Sequence, residues 1–246
     1  MPANRYCIII PTYNNCLTVA DVVERSLAVC PDVIVVNDGS TDKTDEMLCG
    51  LGITVLTHDR NRGKGQALKT GLKYVGNKGF THAVTIDADG QHFPEDIPAL
   101  IKASESAPAD IIVGLRNLTS ENMPRKNTFA NRFSNFWFRL QTAQKLDDTQ
   151  SGFRIYPLDS LHGLGLITSR YEAELELMVF AAWHGTRMTG VPVRVLYQPD
   201  GERVSHFRPF RDFLRITLLN TLLCFGALFY GLPLALFRMI TGKSHG

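Results

Sequence analysis

The chain has 246 residues, 44% of them hydrophobic and 20% charged, a balance that excludes a disordered chain and allows one large domain or two small ones. Its five cysteines, Cys7, Cys16, Cys30, Cys49 and Cys224, form no C-x-x-C pair and are odd in number, so a disulfide framework is excluded and reduced thiols in a cytosolic body are expected. The net charge of +2 is uneven: Arg203, Arg208, Arg211, Arg215, Arg238 and Lys243 face only Asp212, a local +5 that leaves −3 for residues 1–202.

The start, "MPANRY", carries no signal-peptide pattern and runs into the apolar "YCIIIP", a buried strand. Helix "LTVADVVERSLAV", strand "DVIVVN", turn "DGSTDKT", short helix "DEMLCGL" and strand "ITVLTH" follow. The loop "DRNRGKG" opens helix "QALKTGLKYV". Strand "HAVTI" leads into "DADGQH", and helix "PEDIPALIKASES" and strand "ADIIVG" complete the alternation near residue 115. Short β-branched strands between helical segments predict an α/β fold with a mostly parallel central sheet flanked by helices. Ligands of such sheets bind at the carboxyl ends of the strands. Three polar clusters fall there: Pro11-Thr12-Tyr13-Asn14, Asp38-Gly39-Ser40 and Asp87-Ala88-Asp89.

Beyond residue 115, residues 119–145 are polar, aromatic and basic. "SGFRIYP" predicts a strand, "RYEAELELMVFAAWHG" an amphipathic helix and "RMTGVPVRVLYQ" one or two strands. Between Arg215 and Arg238 lie 22 residues without a charge, long enough to cross a bilayer as a helix. Pro233 predicts a kink or a re-entrant turn there, and the basic, aromatic "HFRPFRDFLR" before it predicts a helix lying at an interface. The flanking cations place the body on the cytoplasmic face of the membrane. The alternatives for this segment are a buried core helix or a helix that pairs copies of the chain into a homo-oligomer.

The D-x-D spacing of Asp87 and Asp89 sets two carboxylates on one turn, hard oxygen ligands suited to Mg²⁺ or Mn²⁺, with Gln91 as a third. Mg²⁺ is usually completed by waters and substrate phosphates rather than by a full protein cage. Gly63-Lys64-Gly65 at a helix start allows close backbone approach to phosphate, although no P-loop pattern is present. His92, directly after the metal motif, has two readings: contact with a phosphate or a metal-bound water, or, more simply, packing or capping of the next helix.

In order, "IIIPTYNN", "VVNDGSTDKT", "NRGKGQALKTGLKYV" and "IDADGQHFPEDI" resemble the signatures of glycosyltransferase family 2, inverting nucleotide-sugar transferases with the GT-A fold. "GLR" at 114–116, "DDTQSGFRIY" at 147–156 and "EAELELMVFAAWHG" narrow the resemblance to dolichyl- and polyprenyl-phosphate sugar synthases. It implies a GT-A domain over 1–206, with a nucleotide-sugar half at 1–115 and an acceptor half at 116–206, and a membrane-associated segment over 207–246. Pro11, Tyr13, Asn15, Asp38, Gly63, Lys64 and Asp87 are then expected at the UDP- or GDP-sugar donor. Asp87, Asp89 and Gln91 are expected at the metal, with Asp89 and Arg116 in the catalytic role. Arg116, Arg125, Arg154, Arg203, Ser205 and His206 are expected at the acceptor's phosphate. His206 stands where many relatives carry Lys, with Arg203 as a substitute charge, and Asn15 stands where relatives often carry Glu.

A lipid phosphate is already largely anionic at pH 7 and needs no general base. Transfer to a hydroxyl would need one, and Glu172 and Glu174 are the candidates, read otherwise as the exposed face of a helix. Glu176 is read as structural. A processive synthase is disfavoured because Q-x-x-R-W is absent. The non-enzyme alternative is an inactive nucleotide-sugar-binding scaffold, and nucleic acid is not expected as a partner.

Overall fold

The computed structural model describes residues 4–116, 125–196 and 209–241. Its centre is a seven-stranded sheet of β1 (Tyr6–Thr12), β2 (Val33–Asn37), β3 (Thr54–Thr57), β4 (His82–Thr85), β5 (Ile111–Arg116), β6 (Arg154–Pro157) and β7 (Met188–Val193), in the order β3-β2-β1-β4-β6-β5-β7. Among these described strands only β6 runs antiparallel to its neighbours, so the expectation of a mostly parallel sheet holds.

Alternation along the strands builds a core on each face. From β1 and β2, Ile8, Ile10, Val33 and Val35 pack with Val19, Val22 and Val23 of α1 (Val19–Leu27) and with Ile97 and Leu100. Cys7, Ile9, Ile34 and Val36 pack on the other face against Ala67 and Val75. Helix α2 (Thr44–Leu48) follows β2, α3 (Lys64–Asn77) follows β3 and α4 (Ile97–Ser106) precedes β5. The carboxyl ends of β1, β2, β4 and β5 share one edge with the start of β6, because Thr85 pairs with Arg154.

The second half adds α5 (Arg125–Thr142), α6 (Glu172–Trp183), α7 (Pro209–Gly226) and α8 (Leu232–Thr241). The sequence predicts an amphipathic α6, but ten of its twelve residues are buried, Glu172, Glu174 and Glu176 included. It lies between α3, α5 and α7, so it has no solvent face for its carboxylates. Phe138 of α5 is fully buried while Phe136 is 59% exposed, which divides the aromatic run between core and surface.

Arg215–Leu234 is long and apolar enough to cross a membrane. One face of it, Leu219, Leu223 and Ala227, is buried with Phe138, Leu177 and Trp183. The other, including Leu218, Leu222, Phe225 and Phe229, is exposed. Of the two expectations at Pro233, a kink or a re-entrant turn, the chain does not turn back. A π-helical turn, Ala227–Gly231, precedes the proline and helix continues to Thr241. Proline lacks the N–H of the regular ladder, and a π turn is one local way to absorb that loss.

Trp183 seats this helix. It is buried, donates from Nε1 to the Gln141 carbonyl at 2.8 Å and meets the Tyr230 ring edge-on at 6.1 Å. Trp183→Ala is expected to destabilise the protein by about 3–5 kcal/mol, read as a lower midpoint in chemical denaturation.

Candidate active site

A cleft of about 1020 Å³ opens at the sheet edge where these strands end. Pro11, Tyr13, Asn15, Asp38, Gly63, Lys64, Asp87, Asp89, Gln91, Arg116 and Arg154 all line it. Pro11, Asp38 and Asp87 are far apart in the chain and meet here because β1 is paired in parallel with both β2 and β4.

Lys64, the first residue of α3, sits at the centre. Its Nζ lies 2.7 Å from Asp87 Oδ1 and 3.2 Å from Glu174 Oε2. Burial opposes the lysine's charge, but Asp87 and Glu174 outweigh it and raise its pKa. Burial likewise opposes the charge on Asp87, and Lys64 more than offsets this, so the Asp87 pKa is lowered. Gly152 leaves room for the pair: a Cβ there would stand 2.6 Å from Asp87 Oδ2 and 2.9 Å from Lys64 Nζ.

The loop before α3 is held from below by Asp38, which is 2% exposed. Asp38 accepts hydrogen bonds from the backbone N–H of Arg62 at 2.9 Å and of Gly63 at 2.7 Å. Gly63 has φ 98, a left-handed conformation that glycine adopts without a Cβ penalty. Asp38, expected at the donor, is thus also the anchor of the Gly63-Lys64 loop.

Asp89 Oδ1 accepts from the Gln91 N–H at 3.0 Å, closing the turn after β4. Asp87, Asp89 and Gln91 offer hard oxygen donors, which fit Mg²⁺ or Mn²⁺ in type. Among the described residues no three His, Cys, Asp or Glu side chains form a metal-binding group. The remaining ligands would have to come from substrate and water. His92 is buried, packs against Phe153 at 5.2 Å between ring centres, and its pKa is lowered to about 4 by burial. Its Nδ1 is buried without a hydrogen-bond partner among the described residues.

Arg116 binds Asp148 through Nε at 2.6 Å and Nη2 at 2.9 Å, and Asn131 of α5 donates to the same carboxylate at 2.6 Å. Burial works against ionisation of Asp148, but the Arg116 hydrogen bonds prevail and lower its pKa. Arg154 is 1% exposed and donates to Tyr156 Oη, the Glu174 carbonyl and the Thr149 carbonyl at 2.9, 3.3 and 3.0 Å. It forms the floor of the cleft rather than its open rim. The side chain of Arg125, and Arg203, Ser205 and His206, lie outside the described residues.

The carboxylates of α6 differ in role. Glu176 accepts from the N–H groups of Ile167 and Thr168 at 2.7 and 2.8 Å, the structural part expected of it. Glu172 and Glu174, instead of facing solvent, line the cleft. Glu172 Oε1 lies 3.8 Å from Arg215 Nη1, and its Oε2 is buried without a hydrogen-bond partner among the described residues. Sequence reasoning misses Asp148 and Asn131. Asp148 lies inside one of the quoted motifs, but its pairing with Arg116 spans 32 positions.

A family model described as Glycosyl transferase family 2 matches residues 7–163. The chain is similar to the UDP-N-acetylglucosamine--dolichyl-phosphate N-acetylglucosaminyltransferase of Methanococcus voltae, 30% identical over 213 residues that cover 77% of this chain and 85% of that enzyme. It is also similar to the polyprenol monophosphomannose synthase of Mycolicibacterium smegmatis, 29% identical, with 78% of this chain and 77% of that enzyme covered. In fold it resembles glucosyl-3-phosphoglycerate synthase from Mycobacterium tuberculosis, solved with Mn²⁺, uridine-diphosphate and glucosyl-3-phosphoglycerate. That match has a TM-score of 0.66 at 16% identity and covers 92% of this chain and 80% of that one.

Proposed function

The chain belongs to glycosyl transferase family 2, and on that premise we propose that it transfers a sugar from a UDP- or GDP-sugar to a polyprenyl phosphate, with inversion, at the cytoplasmic face of a membrane. The observation that carries this reading is the Lys64–Asp87 pair at the start of α3, beside Asp89 and within one cleft. The names of the relatives from Methanococcus voltae and Mycolicibacterium smegmatis support the acceptor class. The exposed apolar face of α7 supports the membrane placement.

In this reading an oxygen of the acceptor phosphate attacks the anomeric carbon while the bond from that carbon to the donor phosphate breaks. The leaving nucleoside diphosphate takes the bonding electrons. The Gly63-Lys64 loop and the N-terminus of α3 face that diphosphate, where fixed N–H groups and a cation stabilise developing charge. Asp89, with Asp87 and Gln91, would hold Mg²⁺ or Mn²⁺, which supplies further positive charge to the leaving group. Arg116, fixed in direction by Asp148, would orient the acceptor.

The test is a donor screen with UDP- and GDP-sugars, each with Mg²⁺ or Mn²⁺, against undecaprenyl or dolichyl phosphate. Metal-dependent formation of a lipid-phosphate sugar is expected. Nucleotide binding without turnover on any donor would leave only a sugar-nucleotide scaffold. The Oε2 of Glu172, without a hydrogen-bond partner among the described residues, favours one second reading, transfer to a hydroxyl with Glu172 as base. Activity on hydroxyl acceptors that Glu172→Gln abolishes, with lipid phosphates inert, would establish it.

A further inference from the structure

We propose that His58 is a positioning residue for the donor-diphosphate loop, acting through Asp38; the inference rests on the donor reading above. The parallel ladder of β2 and β3 pairs Asn37 with Thr57, so the next residue of each strand, Asp38 and His58, come side by side. The His58 N–H donates to the Asn37 carbonyl at 2.9 Å, which fixes the backbone of that approach. His58 Nδ1 then lies 2.6 Å from Asp38 Oδ1, and its Nε2 lies 2.9 Å from Thr70 Oγ1 on α3. The imidazole is therefore clamped at both ends.

Asp38 is where this clamp reaches the loop. Oδ1 takes the Arg62 N–H as well as His58, and Oδ2 takes the Gly63 N–H. A carboxylate aimed at two consecutive amides must keep one rotation about its side-chain bonds. Each amide holds one carboxylate oxygen, and His58 adds a second hold on Oδ1 from the end of β3, outside the loop that the amides belong to. Lys64 follows Gly63 directly, so a rotation of Asp38 would displace the cation paired with Asp87. The side chains of both Asp38 and His58 are largely buried, at 3% and 9% exposure, which leaves little water to replace the lost contact.

The experiment combines amide hydrogen exchange of the ligand-free full chain with steady-state kinetics for donor and acceptor measured separately. His58→Ala is expected to speed exchange at Arg62 and Gly63 on the order of tenfold, the weight of one hydrogen bond to a charged group. The donor KM rises by a similar factor and kcat falls with it as Lys64 shifts, while the acceptor KM stays within about twofold. His58→Asn, whose side-chain amide can donate to Asp38 from near the Nδ1 position, restores most of both readouts. Thr70→Val, which keeps the ring and removes its outer partner, moves the same two amides in the same direction by less. Unchanged exchange in both His58→Ala and Thr70→Val overturns the positioning role. So does a loss spread evenly over donor KM, acceptor KM and kcat with no recovery in His58→Asn. Faster exchange at the two amides in a protein that binds no UDP- or GDP-sugar overturns the donor reading alone.

Discussion

Asp89→Ala is expected to abolish metal-dependent transfer, lowering kcat/KM on the order of 10³-fold, while leaving the fold intact. Its carboxylate closes its own turn through the Gln91 N–H. Lys64 is held by Asp87 and Glu174, so removing Asp89 leaves that half-buried cation paired. Activity is measured across a Mg²⁺ or Mn²⁺ titration, with the thermal midpoint as control for folding. Retained metal-dependent transfer would sink the account of the D-x-D turn.

Lys64→Met has the second large effect, and it reaches both activity and stability. The substitution keeps most of the volume but leaves Asp87 and Glu174 facing each other without the cation that lies 2.7 and 3.2 Å from them. Removing one partner of a fully buried ion pair costs about 3–5 kcal/mol; with 20% of the Lys64 and 26% of the Asp87 side chain exposed, the expected cost lies below that range. Adding Glu174→Gln to Lys64→Met removes one of the two opposed charges. The double variant is expected to regain part of the stability and none of the activity. Equal denaturation midpoints for the wild type and Lys64→Met would show that the triad carries no such coupling.

Much of this is legible in the sequence. The β-branched runs of β1, β2 and β4 are short, buried and followed at once by polar clusters, so strand and rim can be read together. The reversed direction of β6 cannot, because an apolar run has no polarity of its own. The amphipathic reading of α6 fails for a specific reason. Glu172, Glu174 and Glu176 look like a solvent face only while their partners are unknown. Those partners are Lys64, Arg215 and the N–H groups of Ile167 and Thr168, and the two cations are distant in the chain. His58 is hidden in the same way, since its contact with Asp38 exists only through the register of β2 on β3.

Helix α7 touches the cleft and the outside within two turns. Ile216 lines the cleft, and Leu222, 60% exposed, follows about 9 Å further along the axis at ~1.5 Å per residue. With its opposite face packed into the body, the helix cannot change depth on its own. On a bilayer, such an arrangement would let an acceptor reach the cleft by lateral diffusion, its chain left among other chains. The search for the second substrate would then be two-dimensional, and its rate would follow the surface density of that lipid rather than its bulk concentration.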